Sequence, residues 1–469
     1  STGMPKGAMN THGGICNQLL WMHDSFQLAD EDRVLQKTSL SFDASVWECF
    51  LPLSCGACLV IASPEGHRDS QYLVRIIQDE RITVLQLVPS MLQLFLQEKG
   101  VENCLTLKRV FCGGEALPYE VQNHFFEKLP GAELHNLYGP AETAVQVTTW
   151  HCRRGDERGI VPIGFPVANT QIYILDSHMQ PVPVGIPGEL YIGGIQVGRG
   201  YLNLPELTAE RFIPNPFSAV PGSRLYRTGD LARYLPGGEI EYLGRTDHQV
   251  KIRGFRVELG EIEAALKEQE YVSQVVVMIR EDVPGEKRLV AYLIPEKKHR
   301  INIRELRQHL KDKLPGYMIP NAFVILEKFP LNPNGKIDRR ALPVPQDMRQ
   351  TDAEYVAPRT ELEKVVAKIW QKVLKLDKIG INDNFFDIGG HSILAIRIAA
   401  KAHEEGLQLR PYQIFTHPTI ASLARIIRPL SAQEIAATRV ELSQSAGNEP
   451  TATSRKGKYV ASDFPEAGL

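Results

Sequence analysis

Short apolar runs alternate with helical stretches through the first half of the chain. Ile82-Thr-Val-Leu-Gln-Leu-Val88, Leu107-Lys-Arg-Val-Phe-Cys112 and Gln171-Ile-Tyr-Ile-Leu175 have strand length and strand composition. That rhythm predicts an α/β unit over residues 1–246, richer in strands toward its end. A smaller α+β unit is expected over 247–340, with helices at 259–269 and 303–314 and strands at 272–280 and 288–294. Ala341-Leu-Pro-Val-Pro345 opens a stiff linker over 341–356, because proline ends the preceding element and restricts the chain. Thr360-Glu-Leu-Glu363 then reads as a capping box. Leu362, Val365, Val366, Ile369, Trp370, Val373 and Leu374 follow on one helical face. With a helix after Ser392 and another over 420–427, residues 357–430 are expected to form an all-α four-helix bundle. Residues 431–469 are rich in Ser, Ala, Thr and Glu and read as a flexible linker.

A chain of 469 residues exceeds one compact core, which agrees with several domains. The formal net charge of -2 carries no nucleic-acid footprint and no polybasic membrane patch. No apolar run approaches the roughly 20 residues that span a bilayer, and no leader pattern opens the chain, so a cytoplasmic location is expected. Seven cysteines do not make a disulfide framework at this length. Cys55-Gly-Ala-Cys58 lacks a second such pair or a spaced His pair, so it predicts two small reduced core residues in a turn entering a buried strand. The chain opens at Ser1-Thr-Gly and closes at Ser462-Asp-Phe-Pro-Glu-Ala-Gly-Leu469, both mid-pattern, and is expected to be a piece of a larger polypeptide.

Two loops suggest phosphate chemistry. Ser1-Thr-Gly-Met-Pro-Lys-Gly7 brings hydroxyls, glycines and one ammonium together without Walker spacing. Asp383-Asn-Phe-Phe-Asp-Ile-Gly-Gly-His-Ser392-Ile sets one serine after two glycines at the head of an apolar helical run. By itself that serine reads as an ordinary N-cap. The helix N-terminus it occupies also suits a phosphate, since unpaired N–H groups and the helix dipole favour negative charge.

The flanks of Ser392 closely resemble the phosphopantetheine attachment site of acyl and peptidyl carrier domains. Upstream stand, in order, Phe42-Asp-Ala-Ser45, Asn136-Leu-Tyr-Gly-Pro-Ala-Glu-Thr143, Gly188-Glu-Leu-Tyr-Ile-Gly-Gly194, Tyr226-Arg-Thr-Gly-Asp230, Gly244-Arg-Thr-Asp-His-Gln-Val-Lys-Ile-Arg-Gly254 and Asn334-Gly-Lys-Ile-Asp-Arg339. This ordered set resembles the adenylation domain of a nonribosomal peptide synthetase, one of the ANL adenylate-forming enzymes, over residues 1–430. The resemblance implies a multidomain protein: an incomplete α/β adenylation core at 1–246, its C-terminal subdomain at 247–340, a linker at 341–356, a peptidyl carrier domain at 357–430 and a linker at 431–469 leading to a condensation domain. It implies that a larger N-terminal portion of the core precedes residue 1, so that the chain alone is expected to be weakly active. Ala141 departs from the threonine of many relatives, with the hydroxyl of Thr143 beside it.

The resemblance also implies roles. Thr2, Gly3 and Lys6 hold the ATP phosphates, and Thr143 touches the α-phosphate. Glu142 helps hold Mg²⁺, a hard cation that wants oxygen ligands. Asn136, Tyr138 and Gly139 border the adenine, Asp230 accepts the ribose hydroxyls and Arg245 supports it. Lys336 bridges the substrate carboxylate and the nucleotide, and Asp247 is the hinge about which the small subdomain turns between adenylation and thioester formation. Ser392 carries 4′-phosphopantetheine, attached by a phosphopantetheinyl transferase. The amino-acid pocket is lined by Asp43, Ala44, Trp47, Gln86, Phe111, Gly113, Leu137, Val145 and Gln146 and closed by Lys336. Asp43 matches an α-ammonium, the apolar residues match methylenes, Gly113 leaves length, and the two amides match a side-chain amide. L-glutamine is therefore the expected substrate, with glutamate its nearest rival. An acyl-CoA synthetase-like ligase is the second reading, opposed by the fused carrier and by Asp43. A non-catalytic carrier or docking piece is the third, opposed by Lys336, Asp230 and Glu142.

Overall fold

The computed structural model describes residues 6–64, 66, 69–246, 250–252, 255–282, 288–296, 299, 301–331, 337–345, 355–374, 376–386, 388, 390 and 392–429. By internal contacts the chain divides into two units, one of residues 1–355 with 383–391 and one of residues 356–382 with 392–469.

The first unit is built on a seven-stranded sheet. In spatial order its strands are Cys58–Ile61, Arg33–Gln36, Val84–Leu87, Arg109–Gly113, Glu133–Tyr138, Thr148–His151 and Phe165–Pro166. The first five are parallel and the last two antiparallel. Val84–Leu87 is buried at every position, as a central parallel strand covered on both faces should be. Its flanking helices bury Leu73, Ile77, Leu92, Phe95, Val121 and Phe125 against it. A second sheet of five strands is antiparallel, with Arg224–Tyr234 at its centre between Gly188–Gly194, Phe212–Pro214 and Ile240–Arg245.

The expected small α+β unit is present. Val272–Arg280 pairs antiparallel with Arg288–Pro295, which pairs parallel with Ala322–Ile325. Helices Leu259–Lys267 and Ile303–Lys313 bury Ile262, Leu266, Leu306 and Leu310 in one core with Val275, Val277 and Phe323. Asn302 caps the second helix by accepting from the N–H groups of Arg304 and Glu305.

Among the described residues the second unit carries four helices, Glu361–Leu374, Ser392–Glu404, Pro411–Thr416 and Ile420–Leu423. The capping box forms as expected: Glu363 N donates to Thr360 Oγ1 at 3.1 Å and Thr360 N to Glu363 Oε2 at 3.0 Å. Val366, Ala367, Ile369 and Trp370 are buried, while Leu362, Val365, Val373 and Leu374 flank them half-exposed. The last helix is shorter than expected. It ends at Leu423 because the chain leaves it to pair Arg428–Pro429 with Leu407–Gln408.

One sequence expectation is corrected here. Cys55 and Cys58 are not core residues: both are partly exposed free thiols. Among the described residues Cys58–Ile61 is the edge strand of the large sheet, with a neighbour on one side only, and Ile61 is 72% exposed. The turn expected before it is present at Cys55-Gly56, where Gly56 has φ of +76°, and it follows the helix Ala44–Ser54, which tolerates Pro52 near its end.

Candidate active site

The strand Glu133–Tyr138 delivers its last residues to the end of the parallel sheet, where open α/β sheets bind ligands. Tyr138 Oη donates to Asp230 Oδ2 at 2.5 Å. Arg245 Nη1 donates to Asp230 Oδ1 at 2.7 Å, and Arg245 Nη2 to the Thr228 carbonyl at 3.0 Å. The pairing of Asp230 with Arg245 across adjacent strands sets this geometry. Burial, followed by the charge of Asp230, holds the Tyr138 phenol well above its ordinary pKa, so it stays a donor. Asn136 is buried and spends a side-chain N–H on the Pro162 carbonyl at 2.8 Å, fixing the wall beside Tyr138.

After Tyr138 the chain folds back on itself tightly. A Cβ on Gly139 would collide with the Val145 carbonyl, so only glycine fits there. Ala144 and Val145 have φ of +53° and +78°. For a β-branched residue this is a strained conformation, typically about 1–3 kcal/mol, and the surroundings must impose it. They do. Gln196 is buried and its Nε2 donates to the carbonyls of Thr143, Ala144 and Gln146 at 3.3, 3.2 and 2.8 Å. Asn10 donates to the Ala141 carbonyl at 2.9 Å and accepts from Ala144 N at 3.2 Å. Neither Gln196 nor Asn10 was singled out by sequence reasoning, and nothing in their local pattern marks them.

That turn presents Glu142 and Thr143. Glu142 is buried and its Oε1 accepts from Tyr201 Oη at 2.6 Å. Tyr201 is pushed far up in pKa by burial and then by Glu142, so it too remains a donor. Thr143 Oγ1 donates to the Pro140 carbonyl at 3.1 Å. Lys6 Nζ lies 5.7 Å from the centre of the Tyr201 ring, which brings this lysine to the same corner. Its ammonium is engaged by Glu258 of the small subdomain at 2.5 Å.

The residues expected to bind the amino acid converge as well. Trp47, Phe111, Leu137 and Val145 belong to one buried cluster with Trp21, Met22 and Phe26. Trp47 and Phe111 meet edge to face at 5.2 Å. Asp43 and Ala44 open the helix Ala44–Ser54 and are half-buried. Gln86 and Gln146 are 6% and 4% exposed. Gly113 has a packing reason beside the one expected. A Cβ there would lie 2.6 Å from the Leu137 carbonyl, so its glycine permits close approach of the neighbouring strand. Thr2, Gly3, Asp247 and Lys336 lie outside the described residues. Ser392 begins a helix of 13 residues, as expected. Two residues before it, a Cβ on buried Gly390 would collide with the carbonyl and ring of Phe385, which explains one glycine of the motif.

A parallel α/β core, a small α+β subdomain and a helical unit whose second helix follows Gly-Gly-His-Ser define the class of an adenylate-forming enzyme with a carrier domain. Comparison with known proteins agrees. The family model of AMP-binding enzymes matches residues 1–202, that of the AMP-binding enzyme C-terminal domain matches 261–336, and that of the phosphopantetheine attachment site matches 364–427. Tyrocidine synthase 3 of Brevibacillus parabrevis is 47% identical over 470 residues, 100% of this chain and 7% of that protein. Phosphinothricin tripeptide synthetase PhsB of Streptomyces viridochromogenes is 46% identical over 445 residues, 93% of this chain and 37% of that protein. Among solved structures, holo-PA1221, a nonribosomal peptide synthetase protein with adenylation and carrier domains, superposes with a TM-score of 0.74 at 28% identity, covering 91% of this chain and 70% of that one. The chain belongs to the adenylation-plus-carrier family of nonribosomal peptide synthetases, and it spans a small part of the length of the curated relatives it matches.

The donors present fit the groups this family uses. Mg²⁺ travels with ATP, keeps several waters and needs only one or two protein carboxylates, which suits Glu142 beside the Thr143 hydroxyl. Among the described residues no group of three or more His, Cys, Asp or Glu could hold a resident metal. A phosphopantetheine phosphate suits the start of the helix at Ser392. Among the described residues no helix is long and apolar enough to cross a membrane.

Proposed function

We propose that this chain activates L-glutamine with ATP as glutaminyl-AMP and loads it onto a phosphopantetheine arm on Ser392. The observation that carries the choice of amino acid is that two of the pocket residues set beside the Trp47, Phe111, Leu137 and Val145 cluster, Gln86 and Gln146, are neutral amides. A side-chain amide can be matched by such groups, whereas a carboxylate would be desolvated without a cation. Asp43 takes the α-ammonium and Lys336 the α-carboxylate.

In the reaction the substrate carboxylate attacks the α-phosphorus of ATP, a C–O–P linkage forms and pyrophosphate leaves. The protein contributes position and charge. Asp230 anchors the ribose while Tyr138 and Arg245 hold its carboxylate still. Thr143 and Lys6 meet the phosphates, and Glu142 helps hold Mg²⁺, which neutralises phosphate charge. The arm, when attached, supplies the thiol that receives the aminoacyl group. We assign the boundaries 1–246, 247–340, 341–356, 357–430 and 431–469 to core, C-terminal subdomain, linker, carrier and linker, with Asp247 as hinge. A phosphopantetheinyl transferase and neighbouring condensation domains are the partners this requires.

ATP–pyrophosphate exchange across the amino acids, on the module that contains this chain, tests the reading. Glutamine should give the highest kcat/KM. Preference for an aromatic, aliphatic or cationic amino acid would sink it.

A further inference from the structure

We propose that Gln18 is a specificity-determining positioning residue, acting through Gln146 to set which atoms the pocket offers a substrate side chain. The inference rests on the glutamine reading of the pocket above.

Amide orientation is normally ambiguous, because oxygen and nitrogen look alike. Here obligate partners decide it. The Trp47 indole can only donate, and its Nε1 lies 2.7 Å from the Gln86 amide, so Gln86 must present its oxygen there and turn its NH₂ away. One amide atom of Gln18 touches both Met22 Sδ at 2.8 Å and the Gln146 amide at 2.5 Å. A thioether sulfur only accepts, so that atom is the Gln18 NH₂. Gln146 must then present Oε1 to Gln18, and its own NH₂ is turned away. Gln18 is fully buried on the helix His12–Phe26, so its amide has no solvent alternative.

Both oxygens are thus spoken for within the protein. Among the described residues neither the Gln86 nor the Gln146 nitrogen has a hydrogen-bond partner, and neither is sealed from solvent. Each of the two amides thus keeps its NH₂ as a donor for an acceptor on the substrate. The carbonyl oxygen of a glutamine side chain meets that demand without bringing in a charge. Gln18 Oε1 is a third amide group, buried and without a partner. Leaving such an acceptor without a hydrogen bond costs about 1–3 kcal/mol. By keeping the Gln146 NH₂ as a donor, Gln18 therefore favours a side chain that carries an acceptor over its apolar isosteres, although it belongs to none of the motifs that identify the pocket.

The test is a double-mutant cycle of Gln18→Leu and Gln146→Leu in the module containing this chain. The readout is the ratio of exchange kcat/KM for glutamine to that for methionine, which matches glutamine in length without the amide. Gln18→Leu should lower this ratio about tenfold, the equivalent of about 1.4 kcal/mol, with the KM for ATP unchanged. In the Gln146→Leu background the same substitution should have no further effect. An unchanged ratio, or equal effects in both backgrounds, overturns the proposal. Gln18→Met, unbranched and close in volume, replaces Gln18→Leu if the leucine variant fails to fold. If the unmodified module prefers a different amino acid, the glutamine reading fails. The coupling of Gln18 to Gln146 is then measured on the preferred one, where its absence overturns the positioning role.

Discussion

Asp230 is the residue whose replacement separates structural from functional roles most sharply. Its carboxylate accepts one hydrogen bond on each oxygen, from Tyr138 at 2.5 Å and from Arg245 at 2.7 Å. A carboxylate has about four acceptor positions, so about two remain, one for each ribose hydroxyl. In Asp230→Asn one oxygen becomes an NH₂: facing the Arg245 guanidinium it meets only donors, and facing Tyr138 it forces the hydroxyl to reverse and accept, while in either case the anion that pairs with Arg245 is lost. The side chains of Arg245 and Asp230 are 9% and 4% exposed, so water does little to compensate. Losing one charge-assisted bond in this setting costs about 1.5–3 kcal/mol of stability, visible as a lowered melting transition of several degrees. Asp230→Ala, which leaves the guanidinium buried without its anion, should cost about 3–5 kcal/mol. If the same carboxylate also holds the ribose, Asp230→Asn should raise the KM for ATP roughly 10- to 100-fold in pyrophosphate exchange. The unmodified protein should discriminate between ATP and 2′-deoxy-ATP, and the variant should not. A variant that loses stability but keeps its KM for ATP within about twofold, and still discriminates, would refute the ribose assignment and leave Asp230 a strut.

Other outcomes follow from the same structure. Incubation with CoA and a phosphopantetheinyl transferase should add one arm to the chain and none to Ser392→Ala, read by mass spectrometry of the tryptic peptide. Glu258→Gln frees Lys6 from a partly buried ion pair worth up to about 1 kcal/mol, so the KM for ATP should fall two- to fivefold, and a rise would contradict the role of Lys6. His135 is buried against Phe26 and Phe111, and burial lowers its pKa to about 4. Its folded pKa lies below its unfolded one, so its contribution is complete above about pH 6.5 and is lost as pH falls toward 4. That loss amounts to roughly 3 kcal/mol. A His135→Asn variant should show a flatter dependence of melting temperature on pH across that window.

Much of this protein was legible along the chain. A short continuous apolar run marked strands such as Val84–Leu87, which is covered on both faces, and a one-faced helical period marked helices such as Ile303–Lys313. The capping box at Thr360 and Glu363 spans three residues and forms as read. The order of short motifs was enough for the family, since each motif is a contiguous turn with its own backbone demands. Tertiary structure alone decided what those motifs touch. Tyr138 and Asp230 are 92 residues apart, Gln18 and Gln146 are 128 apart, and Lys6 and Glu258 are 252 apart. No local pattern encodes such pairs. Which way a glutamine amide faces depends on the donor or acceptor that folding brings to it, as Trp47 does for Gln86 and Gln18 does for Gln146. The same holds for Cys58 and Gly113: an apolar run does not reveal whether its strand has one neighbour or two, and a glycine does not reveal which backbone will crowd it. Periodicity records that a side chain is buried, and only the packed fold determines against what.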